Sequence, residues 1–178
     1  MKLALGVFAV LAILSTASAQ QQPYAGMETQ AIKTLSEQQI ADLKAGRGMG
    51  LALAAELNGY PGPIHAIELA DKLGLSSDQV ASLKRLFETM KAEAIPLGAT
   101  LISQERALNE DFARRTITQS SLETATQQIG TTQARLRATH LKYHLATIAI
   151  LTPDQVKRYD ELRGYAATGA PQHHHMHQ

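Results

Sequence analysis

The stretch Leu75-Ser76-Ser77-Asp78-Gln79-Val80 decides the reading of this chain, because it recurs as Leu151-Thr152-Pro153-Asp154-Gln155-Val156 and, more loosely, as Leu35-Ser36-Glu37-Gln38-Gln39-Ile40. Each copy is a helix-start signal with a mechanism. The hydroxyl of Ser36, Ser76 or Thr152 can accept from a backbone N–H in the first turn. Gln39, Gln79 or Gln155, three residues on, can reach back to the cap's own N–H. The pairs Leu35/Ile40, Leu75/Val80 and Leu151/Val156 flank the cap where apolar side chains staple the chain as it turns into the helix. Pro153 falls at the first helical position, where its missing N–H costs nothing.

Working outward, the second copy opens a long helix. From Ser77, apolar residues run Val80, Leu83, Phe87, Met90, Ala94, Leu97, Leu101, Leu108 and Phe112 in steps of three and four, broken once by Gln104. That is a narrow seam with a period of about 3.5 residues. Pro96 lies inside it and predicts a kink rather than a stop. Arg114 to Gln119 reads as a hairpin turn. A third helix, from Ser120 or Ser121 to Ile150, carries a matching seam of Leu122, Ala125, Ile129, Thr132, Leu136, Thr139, Tyr143, Ala146 and Ile150. Two such helices with a short link fold back antiparallel. A brief helix follows from Pro153 to about Arg163. Before the hairpin, a helix from Glu37 meets Gly46, Gly48 and Gly50. Leu51 to Leu57 looks helical again, 58–63 is a turn cluster, and Pro63 starts a short helix closed by Gly74. The fold class is therefore all-α: a long kinked antiparallel helical hairpin with short flanking helices. A lone hairpin leaves apolar stripe uncovered, so a homodimer is expected.

The ends carry a different message. Lys2, the apolar run Leu3 to Leu14 and the small-residue site Ala17-Ser18-Ala19 form the three parts of an export signal, cleaved after Ala19. The expected organisation is a signal peptide over 1–19, an extension with a glycine-interrupted helix over 20–62, the hairpin domain over 63–165, and a histidine-rich tail over 166–178. No other stretch is apolar enough to cross a bilayer, so no stable membrane insertion is expected after cleavage. Lys and Arg number 17 against 16 Asp and Glu, and losing Lys2 leaves the processed chain formally neutral. A nucleic-acid binder needs a basic surface, so that class is disfavoured. The absence of cysteine removes disulfides, thiolate metal sites and a cysteine nucleophile. The chain contains no G-x-S-x-G, H-E-x-x-H or phosphate-binding loop, and Gly46-Arg47-Gly48-Met49-Gly50 lacks the spacing and preceding strand of one. No enzyme activity and no required cofactor are expected.

An export signal, then Leu75-Ser76-Ser77-Asp78-Gln79, a long kinked hairpin and Leu151-Thr152-Pro153-Asp154-Gln155 resemble the Spy/CpxP family, the "LTxxQ" group, over about Ile64 to Tyr165. The resemblance implies a periplasmic protein of a family that includes chaperones, envelope-stress regulators and heavy-metal-resistance sensors. Spy-like members are dimers of curved hairpins whose concave face holds unfolding clients without ATP. This chain departs from that pattern: its hairpin is not markedly basic, it has the added segment Leu35 to Pro63, and it ends in histidines. The expected function is an ATP-independent chaperone or stress-response modulator for unfolded or envelope proteins. The alternative is a periplasmic zinc, copper or nickel sensor or resistance protein.

Residues can be assigned to both readings. Met90, Leu97 and Leu101, with Met49, suit an adaptable apolar client surface, although packing in the core of the hairpin or of a dimer suits the first three better. Arg106 and Arg137 belong to mixed-charge outer faces able to draw in clients. Leu75, Ser76, Gln79, Leu151, Thr152 and Gln155 are the motif and helix caps. His140 and His144 share a helix face, four residues apart, and can hold one metal ion between them. Flanking the seam, they are expected to be partly exposed, with His65 a third ligand only if the fold brings it near. The tail residues His173, His174, His175, Met176 and His177 offer imidazoles and a thioether to zinc, copper or nickel.

Overall fold

The computed structural model describes residues 24–165. The signal peptide expected at 1–19 and the tail ligands at 173–177 lie outside the described residues. Within them the chain is helical, with one isolated bridge between Ile32 and Leu35. Seven helices follow a short 3-10 turn: α1 (Glu37–Lys44), α2 (Leu53–Glu56), α3 (Pro63–Glu68), α4 (Ala70–Leu73), α5 (Ser77–Ala113), α6 (Gln119–Ile148) and α7 (Pro153–Arg163). The fold class is the expected one. None of the described helices is long and apolar enough to cross a membrane.

Local chemistry explains where the helices start. Ser36, Ser76 and Thr152 each form the full reciprocal box with Gln39, Gln79 and Gln155. A fourth box, Thr118 with Ser121, opens α6 at Gln119, one or two residues earlier than the sequence pattern placed it. A serine at the third helical position hides this signal, because the usual partner there is a longer Glu or Gln. The short helix expected from Pro63 to Leu73 is divided at Leu69 into α3 and α4. Gly74 then closes α4 at φ 61°, a left-handed conformation that glycine adopts without steric cost.

α5 and α6 pair along their seams. Leu83, Met90, Ala94 and Leu101 on α5 are buried, as are Ile129, Thr132, Leu136, Thr139 and Tyr143 on α6. Helix α5 runs through Pro96 without a break. The seam fails at the turn end, where Phe112 is 54% exposed. Each long helix also buries a second face that the sequence did not reveal. On α5 this face includes Gly98, Ile102 and Glu105; on α6 it includes His140, His144 and Thr147.

The segment 32–62 covers those faces. Ile32 and Leu43 join Ala94, Leu101, Ile102, Ile129 and Leu136 in the main core. The closest approach is at Gly98, where a Cβ would run into the Leu43 carbonyl oxygen and come within 3.0 Å of its carbon. Glycine is what allows the end of α1 to lie against the α5 backbone. The extension is thus part of the hairpin's core, and it covers apolar surface that was expected to require a second copy. A smaller cluster of Ala66, Leu83 and Leu151, with Leu75, Ile150 and Val156 against it, closes the base where α3, α5 and α7 meet.

Candidate functional site

Three features of the molecule follow from this packing. The first is the junction of the two motif copies. Gln79 donates from Nε2 to Gln155 Oε1 at 2.8 Å, and Gln155 returns the bond to Gln79 Oε1 at 3.1 Å. Each amide also reaches the carbonyl just ahead of the other motif. Gln79 Nε2 bonds Ile150 O at 2.9 Å, and Gln155 Nε2 bonds Gly74 O at 3.4 Å. Each Oε1 additionally accepts the N–H of its own cap, Ser76 or Thr152. The two helix starts are therefore clasped in a near two-fold arrangement that satisfies both side chains. One glutamine at this position could only cap a helix. The pair also ties the start of α5 to the start of α7, and this half-buried amide network is stable because no member is left unpaired.

The second feature is an open groove of about 810 Å³ between the extension and the hairpin. Leu35, Leu43, Met49, Leu51, Leu101 and Leu136 supply its apolar walls, and Gln39, Asp42, Gln133 and Arg137 its polar edge. Met49 is 42% exposed and sits at φ 44°. Of the residues assigned to client contact by sequence, Leu101 and Arg137 reach this groove. Leu97 is half-buried and lines a separate shallow surface with Pro96, Arg135 and Lys142. Beside that surface Glu93 pairs with Lys142 and accepts from the Tyr143 hydroxyl at 2.9 Å. Both partners hold the Glu93 carboxyl below its ordinary value. Arg106 is exposed but lines none of these surfaces. Met90 takes the core role of its two readings: it is only 6% exposed and faces inward, away from a client on the outside.

The third feature corrects the histidine reading. His140 and His144 are not partly exposed; they are 3% and 8% exposed, beneath the loop that connects α1 to α3. They line a small half-open pocket of about 190 Å³ together with Met90, Glu56, Gly48, Gly62, the half-exposed His65 and the exposed Met49 and Leu53. His144 donates from Nδ1 to the Tyr60 carbonyl at 2.6 Å, which leaves Nε2 as the nitrogen with a free lone pair. His140 Nε2 is buried with no hydrogen-bond partner among the described residues. Burial, and then the neighbouring His144, hold the His140 pKa below the ordinary histidine value. Both rings face glycine. A Cβ at Gly48 would lie 3.4 Å from His140 Nδ1, and one at Gly62 would lie 3.1 Å from His144 Nε2. His65 instead turns Nδ1 to Glu68 at 3.1 Å. Among the described residues no three His, Asp or Glu side chains converge as metal ligands.

Glu56, which no sequence pattern marked, anchors the wall of this cavity. It is 6% exposed. Its carboxylate accepts from the Tyr159 hydroxyl and from Gly62 N at 3.2 Å, with Arg163 Nη2 at 3.6 Å and His144 Nδ1 at 3.8 Å. Burial and this carboxylate together push the Tyr159 hydroxyl far above the ordinary tyrosine value. A carboxylate this deep is tolerated because donors from α7 and the loop surround it.

The comparison with known families agrees with the geometry of the clasp. The family model described as LTXXQ motif family protein matches residues 63–163, from the first residue of α3 to the last of α7. No curated protein and no solved structure matches the chain. Both motif copies fall inside the matched span, which covers more than half of the sequence, and the chain belongs to the LTXXQ motif family.

Proposed function

We propose that this protein is a periplasmic, Spy/CpxP-like holding protein that binds unfolded or envelope proteins without ATP. Family membership supports the class, and the 810 Å³ groove is the observation that carries the reading. Its walls are leucine and methionine, which adapt to varied apolar side chains. Its edge carries both signs of charge, in Asp42 and Arg137, and so does not select strongly by client charge. The groove lies between α1 and the hairpin, so the extension forms one wall of the binding surface as well as covering the core.

Two measurements test this. The exported full-length protein, checked by N-terminal sequencing for a start at Gln20, is mixed with a chemically unfolding client at equal molar ratio. Suppressed light scattering is the expected result; a folded protein that suppresses nothing ends the reading. The variant Met49→Asp places a charge in the groove at an exposed residue whose positive φ suits Asp. It should lose most of the suppression while keeping its helical circular dichroism. Unchanged suppression would remove the groove from the function.

A further inference from the structure

The sequence holds five methionines but no cysteine and no tryptophan, so methionine sulfur is the group in this protein most open to oxygen donors. Three methionines lie among the described residues. Met90 is buried, Met27 sits in the short 3-10 turn at 38% exposure, and Met49 is 42% exposed. Of the three, only Met49 lines the groove. It also borders the half-open histidine pocket, so it stands between two open hollows.

The backbone at Met49 is unfavourable for the residue it carries. Gly48 to Leu51 forms a tight turn, closed by Leu51 N–H donating to the Gly48 carbonyl at 2.7 Å, with Met49 at φ 44° and Gly50 at φ 81°. Glycine, asparagine or aspartate adopts that conformation at the least cost, and a long apolar side chain does not. Gly48 is seated against the His140 ring, which fixes the turn from below. A residue held in a disfavoured conformation by its surroundings points to a role for the side chain it presents.

We propose that Met49 is an oxidation switch on the groove: a two-electron oxygen donor such as hydrogen peroxide converts its thioether to the sulfoxide, and the groove then releases apolar clients. The proposal rests on the groove reading above, since it regulates that surface. In the chemical step a sulfur lone pair attacks one peroxide oxygen, and the S–O bond forms as the O–O bond breaks. The hydroxide that leaves takes the proton from the transferred oxygen and departs as water. Sulfur loses two electrons and the peroxide gains them. The product is polar, and its oxygen accepts hydrogen bonds from water. An apolar client side chain docking over it strips that water and returns no bond. The other apolar walls, Leu35, Leu43, Leu51, Leu101 and Leu136, cannot change polarity by this chemistry. Methionine sulfoxide reductases reverse it.

The test treats the full exported chain with hydrogen peroxide, removes the excess with catalase and follows each methionine by mass spectrometry of a digest. Met49 should oxidise about tenfold or more faster than Met90, in line with their exposures, while circular dichroism stays helical. Suppression of client scattering is then compared with each protein's own untreated state. In the parent, the amount needed to halve scattering should rise about fivefold or more, and reductases for both sulfoxide epimers should bring it back. Met49→Leu keeps Met27 and Met176 but lacks the switch, so peroxide should leave its suppression where it was. The switch is overturned if Met49 oxidises no faster than Met90, if suppression survives conversion of Met49, or if Met49→Leu loses as much as the parent. An untreated parent that suppresses nothing overturns the groove reading and the switch together, which tells the two failures apart.

Discussion

Two pairs of polar side chains sit at junctions of this protein, one half-buried and one buried, and they are finished to different degrees. Gln79 and Gln155 satisfy one another, their own caps and each other's preceding carbonyls. His140 and His144 lie one turn apart under the loop, one held by a carbonyl and the other with a nitrogen that touches no partner. A saturated pair of this kind holds two elements together and is costly to disturb. An unsaturated pair adds little to stability and leaves chemistry open.

Substitutions can break or sharpen that contrast. The largest effect is expected where the histidine loop is anchored. Glu56→Ala strips the acceptor from Tyr159, Gly62 and Arg163 and should cost about 3 kcal/mol or more in denaturant unfolding, the range for breaking a buried charged network. If the loss is below about 1 kcal/mol, as for a surface pair, the loop is not held from this point. Next comes the clasp itself. Gln79→Ala removes a box and takes both inter-amide bonds from Gln155, which keeps only Gly74 O and Thr152 N–H, for an expected loss of about 2 kcal/mol. Adding Gln155→Ala should cost less than the two single losses combined, since either substitution alone already removes the bonds between the amides. Full additivity would mean the amides do not act together.

Cap removal is smaller: Ser76→Ala and Thr152→Ala should each cost about 1 kcal/mol. The smallest effect, and the one of opposite sign, belongs to His140. His140→Leu removes an unpaired buried group and should leave stability equal or up to about 1 kcal/mol higher. The same variant should flatten the response to acid. In the unfolded chain this imidazole titrates near 6.5, and in the folded chain lower. The neutral form's contribution is therefore whole above pH 6.5 and is lost as pH falls through the depressed folded value. Thermal melts of the parent and His140→Leu proteins between pH 7.5 and pH 5 should diverge in that direction, on the order of a few degrees.

The hairpin was legible in sequence because its instructions are local. A hydroxyl, a glutamine three residues on and an apolar pair around them mark a helix start wherever they occur, and the three-four spacing of Leu83, Met90 and Ala94 marks a buried stripe without reference to the partner. The short Ser121 in place of Glu or Gln was enough to blur the start of α6. The second faces of both long helices were not legible, because their burial depends on chain more than thirty residues away. Nothing in the neighbourhood of Gly98 announces that the Leu43 carbonyl will lie on it. His140 and His144 could be placed on one face by their spacing, yet whether water or the 48–62 loop covered that face was a question of tertiary packing. Glu56 was invisible for the same reason. Its partners Tyr159 and Arg163 lie over a hundred residues further along.

The glutamine clasp has one more consequence, which concerns the surroundings rather than the fold. Amides carry no charge and do not titrate between acid and alkali. Dissolved ions screen charged pairs but leave a neutral joint almost untouched. The base of the hairpin should therefore hold equally well in brackish, acidic or dilute fluid, conditions under which a fastening made of lysine and glutamate would slacken.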